Sequence, residues 1–142
     1  MKYLKSYNES RKDEFLKLCW HNAEVGDVLS ESDIYQYVEQ IHRNEEDFEE
    51  GNLAERIEEF DKYKLMEIPI NDINIDEYYL DDNYMDEYKS MTKKSSDYPP
   101  IVLDGDTRYS YGNKYTIIDG THRVNALDRL GYKTVKAWVG IN

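Results

Sequence analysis

Several residue types that commonly build functional sites are scarce in this 142-residue sequence. Cys19 is its single cysteine, which excludes an internal disulfide and indicates a reducing cytoplasmic environment. The three histidines are scattered, and their spacing does not fit a structural zinc site. No apolar run approaches the roughly 20 residues that a membrane-spanning helix needs, and the N-terminus lacks the apolar core of a secretory signal. These absences favour a cytoplasmic domain without a membrane anchor.

Positive charge is also scarce, because 30 acidic side chains oppose 18 Lys and Arg side chains, which gives a net charge of −12. The imbalance is concentrated in residues 1–63, where 17 acidic side chains face 8 basic ones. A chain this acidic repels the phosphates of nucleic acids, so nucleic-acid binding by the whole chain is not expected. The acidic half is either a solvated surface or a docking surface for a basic protein partner.

Residues 1–63 are predicted to form an acidic helical extension. Ser10 can cap a first helix that reaches about Trp20. Asn52 can cap a short third helix. Between them, the capping sequence Ser30–Asp33 precedes apolar residues spaced i, i+3, i+4 and i+7, which predicts an amphipathic helix that buries Ile34, Tyr37, Val38 and Ile41.

Residues 64–142 are predicted to form a second unit that mixes strands and helices. The apolar patterns predict strands over residues 65–70, 101–103, 115–118 and 133–139, and a helix in the second half of residues 76–96. A hairpin is predicted to join 108–111 to 115–118 through Gly112-Asn113. A last helix, from Thr121 to Gly131, is predicted to bury Val124, Leu127 and Leu130 and to expose Asn125, Asp128 and Arg129. Arg123 lies outside that apolar face.

The junction between the third strand and the last helix carries Asp119-Gly-Thr-His-Arg123. A helix N-terminus offers backbone N–H groups and a partial positive charge, so it attracts anions. A guanidinium can hold a phosphate through two parallel hydrogen bonds. The junction therefore predicts a phosphate site, while the simpler alternative is a turn whose polar residues only cap the helix.

Each residue of this junction has both a functional and a structural interpretation. Arg123 can bind phosphate, or it can pair with Asp119 or Asp128. Thr121 can donate its hydroxyl to phosphate, or it can simply cap the helix. Asp119 can bind Mg²⁺ or act as a general base, or it can hold the turn by accepting backbone N–H groups.

His122 is the remaining member of the junction. It can donate a hydrogen bond to a phosphate or to a leaving oxygen, which makes it a second candidate catalytic residue beside Asp119. Alternatively, it packs against Tyr115 or Trp138 as a half-buried histidine.

The order of motifs along the second unit resembles the ParB/sulfiredoxin superfamily over about residues 64–142. The motifs are Ile68-Pro-Ile70, Pro100-Ile-Val102, Asp119-Gly-Thr-His-Arg123, Ala126-Leu127, Gly131 and Val135-Lys-Ala-Trp-Val139. The resemblance implies an α+β fold with a small mixed sheet and helices. It also implies that Gly120, Thr121, His122 and Arg123 cradle the phosphates of ATP or CTP.

Departures from the family patterns narrow the expected activity. Sulfiredoxin has a catalytic cysteine where this chain has Thr121, and a hydroxyl cannot replace a thiolate in sulfinic-acid repair. Partition ParB proteins continue into DNA-binding regions, whereas this sequence stops at Asn142, so centromere binding is not expected. A free-serine kinase of the superfamily keeps the Asp-Gly-x-His-Arg element and uses an upstream glutamate as base, for which Asp76 and Glu77 are the candidates here.

These observations predict a nucleoside-triphosphate-binding protein, with phosphoryl transfer or hydrolysis assisted by Mg²⁺ at Asp119 as its chemistry. The first alternative is a non-enzymatic acidic protein that binds a basic protein surface through residues 1–63, as an inhibitor or a nucleic-acid mimic. The second is a small ParB-like nuclease, which needs several metal-binding carboxylates near Asp119.

Overall fold

The computed structural model describes residues 14–41, 53–75 and 98–142. The strands in this part of the chain are β1 (Val28–Ser30), β2 (Lys62–Pro69), β3 (Ile73–Asn74), β4 (Ile101–Asp104), β5 (Tyr115–Asp119) and β6 (Thr134–Ile141). The α-helices are α1 (Glu31–Ile41), α2 (Leu53–Ile57) and α3 (Thr121–Arg129), and a π-helical turn spans Lys17–His21. The predicted caps Ser10 and Asn52, the predicted helix within 76–96, and the candidate bases Asp76 and Glu77 lie outside the described residues.

The six strands form one mixed sheet in the order β1-β2-β6-β4-β5-β3. Strand β6 pairs antiparallel with β2 over the full length of both, and parallel with β4 on its other side. Strand β5 likewise pairs antiparallel with β4 and parallel with β3. This mixed sheet with helices confirms the predicted α+β fold of the ParB/sulfiredoxin type.

Both faces of the sheet are buried, because successive side chains of a strand point to opposite sides. On β6, Val135, Ala137 and Val139 belong to the cluster under α3, while Trp138 between them belongs to the cluster under the N-terminal helices. The N-terminal cluster contains residues from every described segment before β2, namely Cys19, Ala23, Leu29, Ile34, Tyr37, Val38, Ile57 and Phe60.

The amphipathic helix α1 forms where the sequence predicts it. The Ser30 hydroxyl oxygen accepts the N–H of Asp33 at 3.2 Å, which is the contact expected of an N-cap residue. Its apolar side faces the sheet, with Ile34, Tyr37 and Val38 buried. No helix in the described part of the chain is long and apolar enough to span a membrane.

Residues before 64 also supply part of the sheet. Strand β1 was not predicted, and the expected boundary between residues 63 and 64 falls inside β2. Three pairs of residues align β1 with the first half of β2, from Val28↔Lys64 to Ser30↔Lys62. On the face covered by the N-terminal helices, the indole N–H of Trp138 donates to the carbonyl of Cys19 at 3.0 Å. The described residues before the expected boundary therefore share their core with those after it.

The predicted hairpin between residues 108–111 and 115–118 is wrong, because β5 pairs antiparallel with β4 instead. Strand β5 pairs with β4, in the register Leu103↔Ile117 and Asp104↔Thr116. Residues 108–111 form turns instead of a strand. Arg108 is held there by its own neighbour, because its guanidinium bonds the Asp106 carboxylate at 2.9 and 3.0 Å. These local bonds favour a turn over an extended strand.

Candidate functional site

Gly120 makes the turn between β5 and α3, and any other residue would be strained there. Its φ is +113°, in a region that L side chains rarely adopt. A Cβ at this position would overlap the side chain of Ile101 and would lie 3.2 Å from Nη2 of Arg123. Because glycine has no side chain, the chain can pass from β5 into α3 close to Ile101 of β4 and to the Arg123 side chain.

Helix α3 begins immediately after this glycine. Val124 donates to the carbonyl of Gly120 at 3.0 Å, which closes the first helical turn. The N–H groups of the first turn point away from the helix at this end, where the helix dipole is positive. Glycine has no side chain to cap them, and the first turn, Thr121-His-Arg-Val124, contains no acidic residue. The local electrostatics of this helix end favour an anion.

Arg123 and Asp119 form a buried ion pair beneath the turn. Nη2 of Arg123 lies 2.5 Å from Oδ2 of Asp119, and the two side chains are 2% and 7% exposed. Nη1 of Arg123 also donates to the carbonyls of Pro99 at 3.1 Å and Pro100 at 3.2 Å. Pairing is what makes burial of both charges tolerable, since either charge alone would be costly in the interior.

This arrangement corrects the predicted face of α3. Arg123 is buried rather than outside the packed side. Asn125 is only 2% exposed, and its side-chain amide donates to the Thr121 carbonyl at 2.8 Å. Leu130, which was expected to be buried, is 39% exposed. It follows the last helical residue, and the chain turns at Gly131 with φ at +92°, so its side chain leaves the sheet.

Thr121 and His122 are the two half-exposed side chains of the turn. They occupy the first two positions of α3, beside the N–H groups of its first turn. Trp138, one of the packing partners considered for His122, lies on the opposite face of the sheet, so it does not contact this helix. Thr121 and His122 are therefore the side chains best placed to meet a ligand at the helix end.

The described residues do not fit a magnesium site at Asp119. One oxygen of its carboxylate already accepts a hydrogen bond from Arg123, and the residue is 8% exposed. Within the described ranges, no group of three or more carboxylate, histidine or cysteine side chains is close enough together to hold a metal ion. The same observation removes the cluster of carboxylates that a nuclease would need, as far as the described part of the chain extends.

An open cleft elsewhere on the molecule has the opposite electrostatic character. Its lining includes the carboxylates of Glu59, Asp104 and Asp106, together with Tyr109 and Asn142. Hydrogen bonds from Arg108 lower the pKa of Asp106 to about 2, so this carboxylate stays charged. A phosphate would be repelled from this cleft, in contrast to the end of α3.

The sequence profile of the ParB N-terminal domain family matches residues 52–140. The chain belongs to the ParB N-terminal domain family. The match confirms the resemblance seen in the motifs, although it begins at residue 52 instead of about 64 and so includes α2 and the whole of β2. Comparison with curated proteins finds no matching sequence.

Several solved structures resemble this member of the ParB N-terminal domain family. Sulfiredoxin from Arabidopsis thaliana is 20% identical, with a TM-score of 0.43, over 55% of this chain and 85% of sulfiredoxin. ParB from Caulobacter crescentus complexed with CTP-gamma-S is 21% identical, with a TM-score of 0.42, over 55% of this chain and 45% of ParB. The same ParB complexed to the centromeric parS site is 23% identical, with a TM-score of 0.42, over 52% and 38% of the two chains. The chain thus spans less than half of these ParB chains.

The structure brings the predicted residues Asp119 to Arg123 together at one strand–helix junction, and it adds residues that the sequence did not single out. Pro99 and Pro100 supply carbonyls to Arg123, and Tyr37 bonds the same Pro100 carbonyl from α1. Tyr37 was predicted only as a core residue of α1. Its i, i+3 spacing signals burial, and the sequence contains no signal for the partner of its hydroxyl.

Proposed function

We propose that this chain binds a nucleoside triphosphate through the segment Gly120–Arg123, named here the phosphate turn. The observation that carries this proposal is the end of α3, where a glycine with positive φ precedes a first turn without acidic residues. Backbone N–H groups in this position bind phosphate in many folds. The resemblance to the superfamily implies ATP or CTP as the nucleotide.

The residues of the turn divide into two roles. Thr121 and His122 are half-exposed and lie at the helix end, so they donate to phosphate oxygens together with the first-turn N–H groups. Arg123 is buried against Asp119, Pro99 and Pro100, so it supports the turn from below. In this chain Arg123 is therefore a structural member of the site instead of a direct clamp on phosphate.

The buried pair also reduces the repulsion between a bound phosphate and the Asp119 carboxylate. Asp119 directly precedes the turn, and an unpaired carboxylate there would oppose an anion at the helix end. Its contact with the Arg123 guanidinium offsets this charge. Phosphate binding is thereby favourable in a chain whose net charge is −12.

A titration with ATP, CTP, GTP and UTP, each with and without Mg²⁺, tests this function. At a nucleotide concentration of 100 times the dissociation constant, binding stabilises the fold by about 2.7 kcal/mol, which is readily seen as a higher melting temperature. His122→Ala should lower the affinity by roughly tenfold, since it removes one donor to a charged oxygen. His21→Ala, at an exposed histidine outside the turn, is the matched control.

Absence of thermal stabilisation and of calorimetric heat with all four nucleotides would refute nucleotide binding. Equal affinity of wild type and His122→Ala would remove His122 from the site. Phosphate release measured on the same samples separates binding from hydrolysis. Asp119 is not expected to act as the base or the metal ligand of such a reaction, because its carboxylate is engaged with Arg123.

A basic protein partner is the alternative that the surface supports. The exposed acidic residues in the described part of residues 1–63 include Glu24, Asp27, Glu39, Glu55, Glu58, Glu59 and Asp61. Such a surface attracts basic proteins at low ionic strength. Binding of this kind would be insensitive to nucleotide and would weaken as salt is added, so the two functions are distinguished by the same titration in the presence of the partner.

A further inference from the structure

A chain of buried hydrogen bonds connects α1 to the phosphate turn. The Tyr37 hydroxyl donates to the carbonyl of Pro100 at 2.6 Å. Arg123 donates to the same carbonyl at 3.2 Å and to that of Pro99 at 3.1 Å, and its other terminal nitrogen reaches Asp119 at 2.5 Å. One backbone carbonyl is therefore shared by a helix that precedes the family match and by the arginine under the turn.

The shared carbonyl lies in the segment Pro99-Pro100, which has no backbone N–H group to donate. Pro99 and Pro100 have no N–H group, so neither residue can donate to a strand of the sheet. The position of these two carbonyls depends instead on the groups that donate to them. Tyr37 and Arg123 both donate to the carbonyl of Pro100, and Arg123 also donates to that of Pro99.

Because this network is buried, a change in the position of one group cannot be compensated by water. Tyr37 is completely buried and Arg123 is 2% exposed, so water does not compete for their hydrogen bonds. Burial also raises the pKa of Tyr37 well above its ordinary value, with opposing effects from the nearby Arg123 and Asp119 charges, so its hydroxyl remains a donor. A misplaced carbonyl here would leave part of the guanidinium poorly paired, which is costly in the interior.

We propose that Tyr37 is a positioning residue for the phosphate turn, acting through the Pro100 carbonyl and Arg123. The path ends at the turn itself, because Arg123 lies directly against Gly120, where even a methyl group would come within 3.2 Å of its Nη2. This inference rests on the proposed function of the turn. It assigns to the segment before the family match a part in the site, through α1.

Tyr37→Phe removes the hydroxyl and keeps the ring in the core. We expect it to weaken nucleotide binding by roughly three- to tenfold. This is the effect expected when loss of one buried hydrogen bond displaces the Pro100 carbonyl and, through Arg123, the turn. Tyr63→Phe is the matched control, since Tyr63 is equally buried in the same cluster and its hydroxyl donates to the Ile57 carbonyl at 2.7 Å, away from the turn. The control should lose similar stability and bind nucleotide as wild type does.

Coupling to Arg123 distinguishes positioning from general loosening of the core. In an Arg123→Lys background, which abolishes the forked contact, Tyr37→Phe should cause less than a twofold further loss of affinity. Equal affinities of Tyr37→Phe and wild type, or an equal loss in Tyr63→Phe, would overturn the positioning role while leaving nucleotide binding in place.

A second readout needs no nucleotide. Backbone amide shifts and hydrogen exchange of Gly120, Thr121 and His122, measured by NMR, should change in Tyr37→Phe and remain as in wild type in Tyr63→Phe. If wild type binds no nucleotide, the proposed function fails, and this measurement still decides whether Tyr37 positions the turn. Unchanged turn amides in Tyr37→Phe would refute the inference in either case.

Discussion

The two faces of the sheet are buried to a similar extent but by different kinds of segment. One face is covered by α3, which contains the last three residues of the Asp119–Arg123 motif and lies within the family match. The other is covered by the π-helical turn, α1 and α2, most of which precede residue 52. The difference shows that the family match marks a recognisable pattern of residues and does not by itself mark a unit that can bury its own core.

Removing one cover of the sheet should give the largest effect. A chain that begins at Tyr63 loses the eight buried apolar residues, from Cys19 to Phe60, that the described residues contain before this point. The six large side chains among them contribute about 1.5–3 kcal/mol each, and together they are comparable to the roughly 5–15 kcal/mol by which a domain is stable. We expect an unfolded or insoluble product by circular dichroism and gel filtration. A soluble, cooperatively melting truncation would show that the two faces are independent.

The buried ion pair under the turn should give the second largest effect. Arg123→Ala removes the guanidinium from the buried Asp119 carboxylate, which should cost about 3–5 kcal/mol of unfolding free energy. Denaturant titration measures this loss. The control is Arg108→Ala, which breaks the exposed pair with Asp106 and should leave stability nearly unchanged, because solvent screens that contact. Similar losses in the two variants would contradict a special role for burial.

A third effect concerns the turn glycine. Gly120→Ala should cost about 1–2 kcal/mol for its positive φ, and about 1–3 kcal/mol more for overlap with Ile101. Gly131→Ala has a similar φ of +92° with open space around the added methyl group, so only the first cost applies. Thermal melting of the two variants separates the two costs. Equal melting temperatures would mean that Ile101 yields without penalty.

Local features of the fold and the turn could be predicted from the sequence, whereas long-range contacts could not. The turn and the fold were predictable, because a strand followed by Asp-Gly and an amphipathic helix is a local pattern. The packing of Arg123 was not predictable, since its partners Pro99 and Pro100 lie more than twenty residues away and are defined only by the fold. Strand β1 escaped prediction for a related reason: with three residues, its pattern is too short to show alternation.

The position of β6 in the sheet has a consequence for how the chain reaches its fold. Strands β1 and β2 form one ladder, strands β4, β5 and β3 form another, and β6 alone joins them. Because β6 is the last strand along the described chain, the two ladders remain separate during synthesis until residues 134–141 have left the ribosome. Contacts such as Trp138 with Cys19 then close loops of more than one hundred residues, which slows folding. A ribosome-bound chain that stops before Thr134 would therefore present two unpaired strand edges, at β2 and β4, to other proteins in the cell.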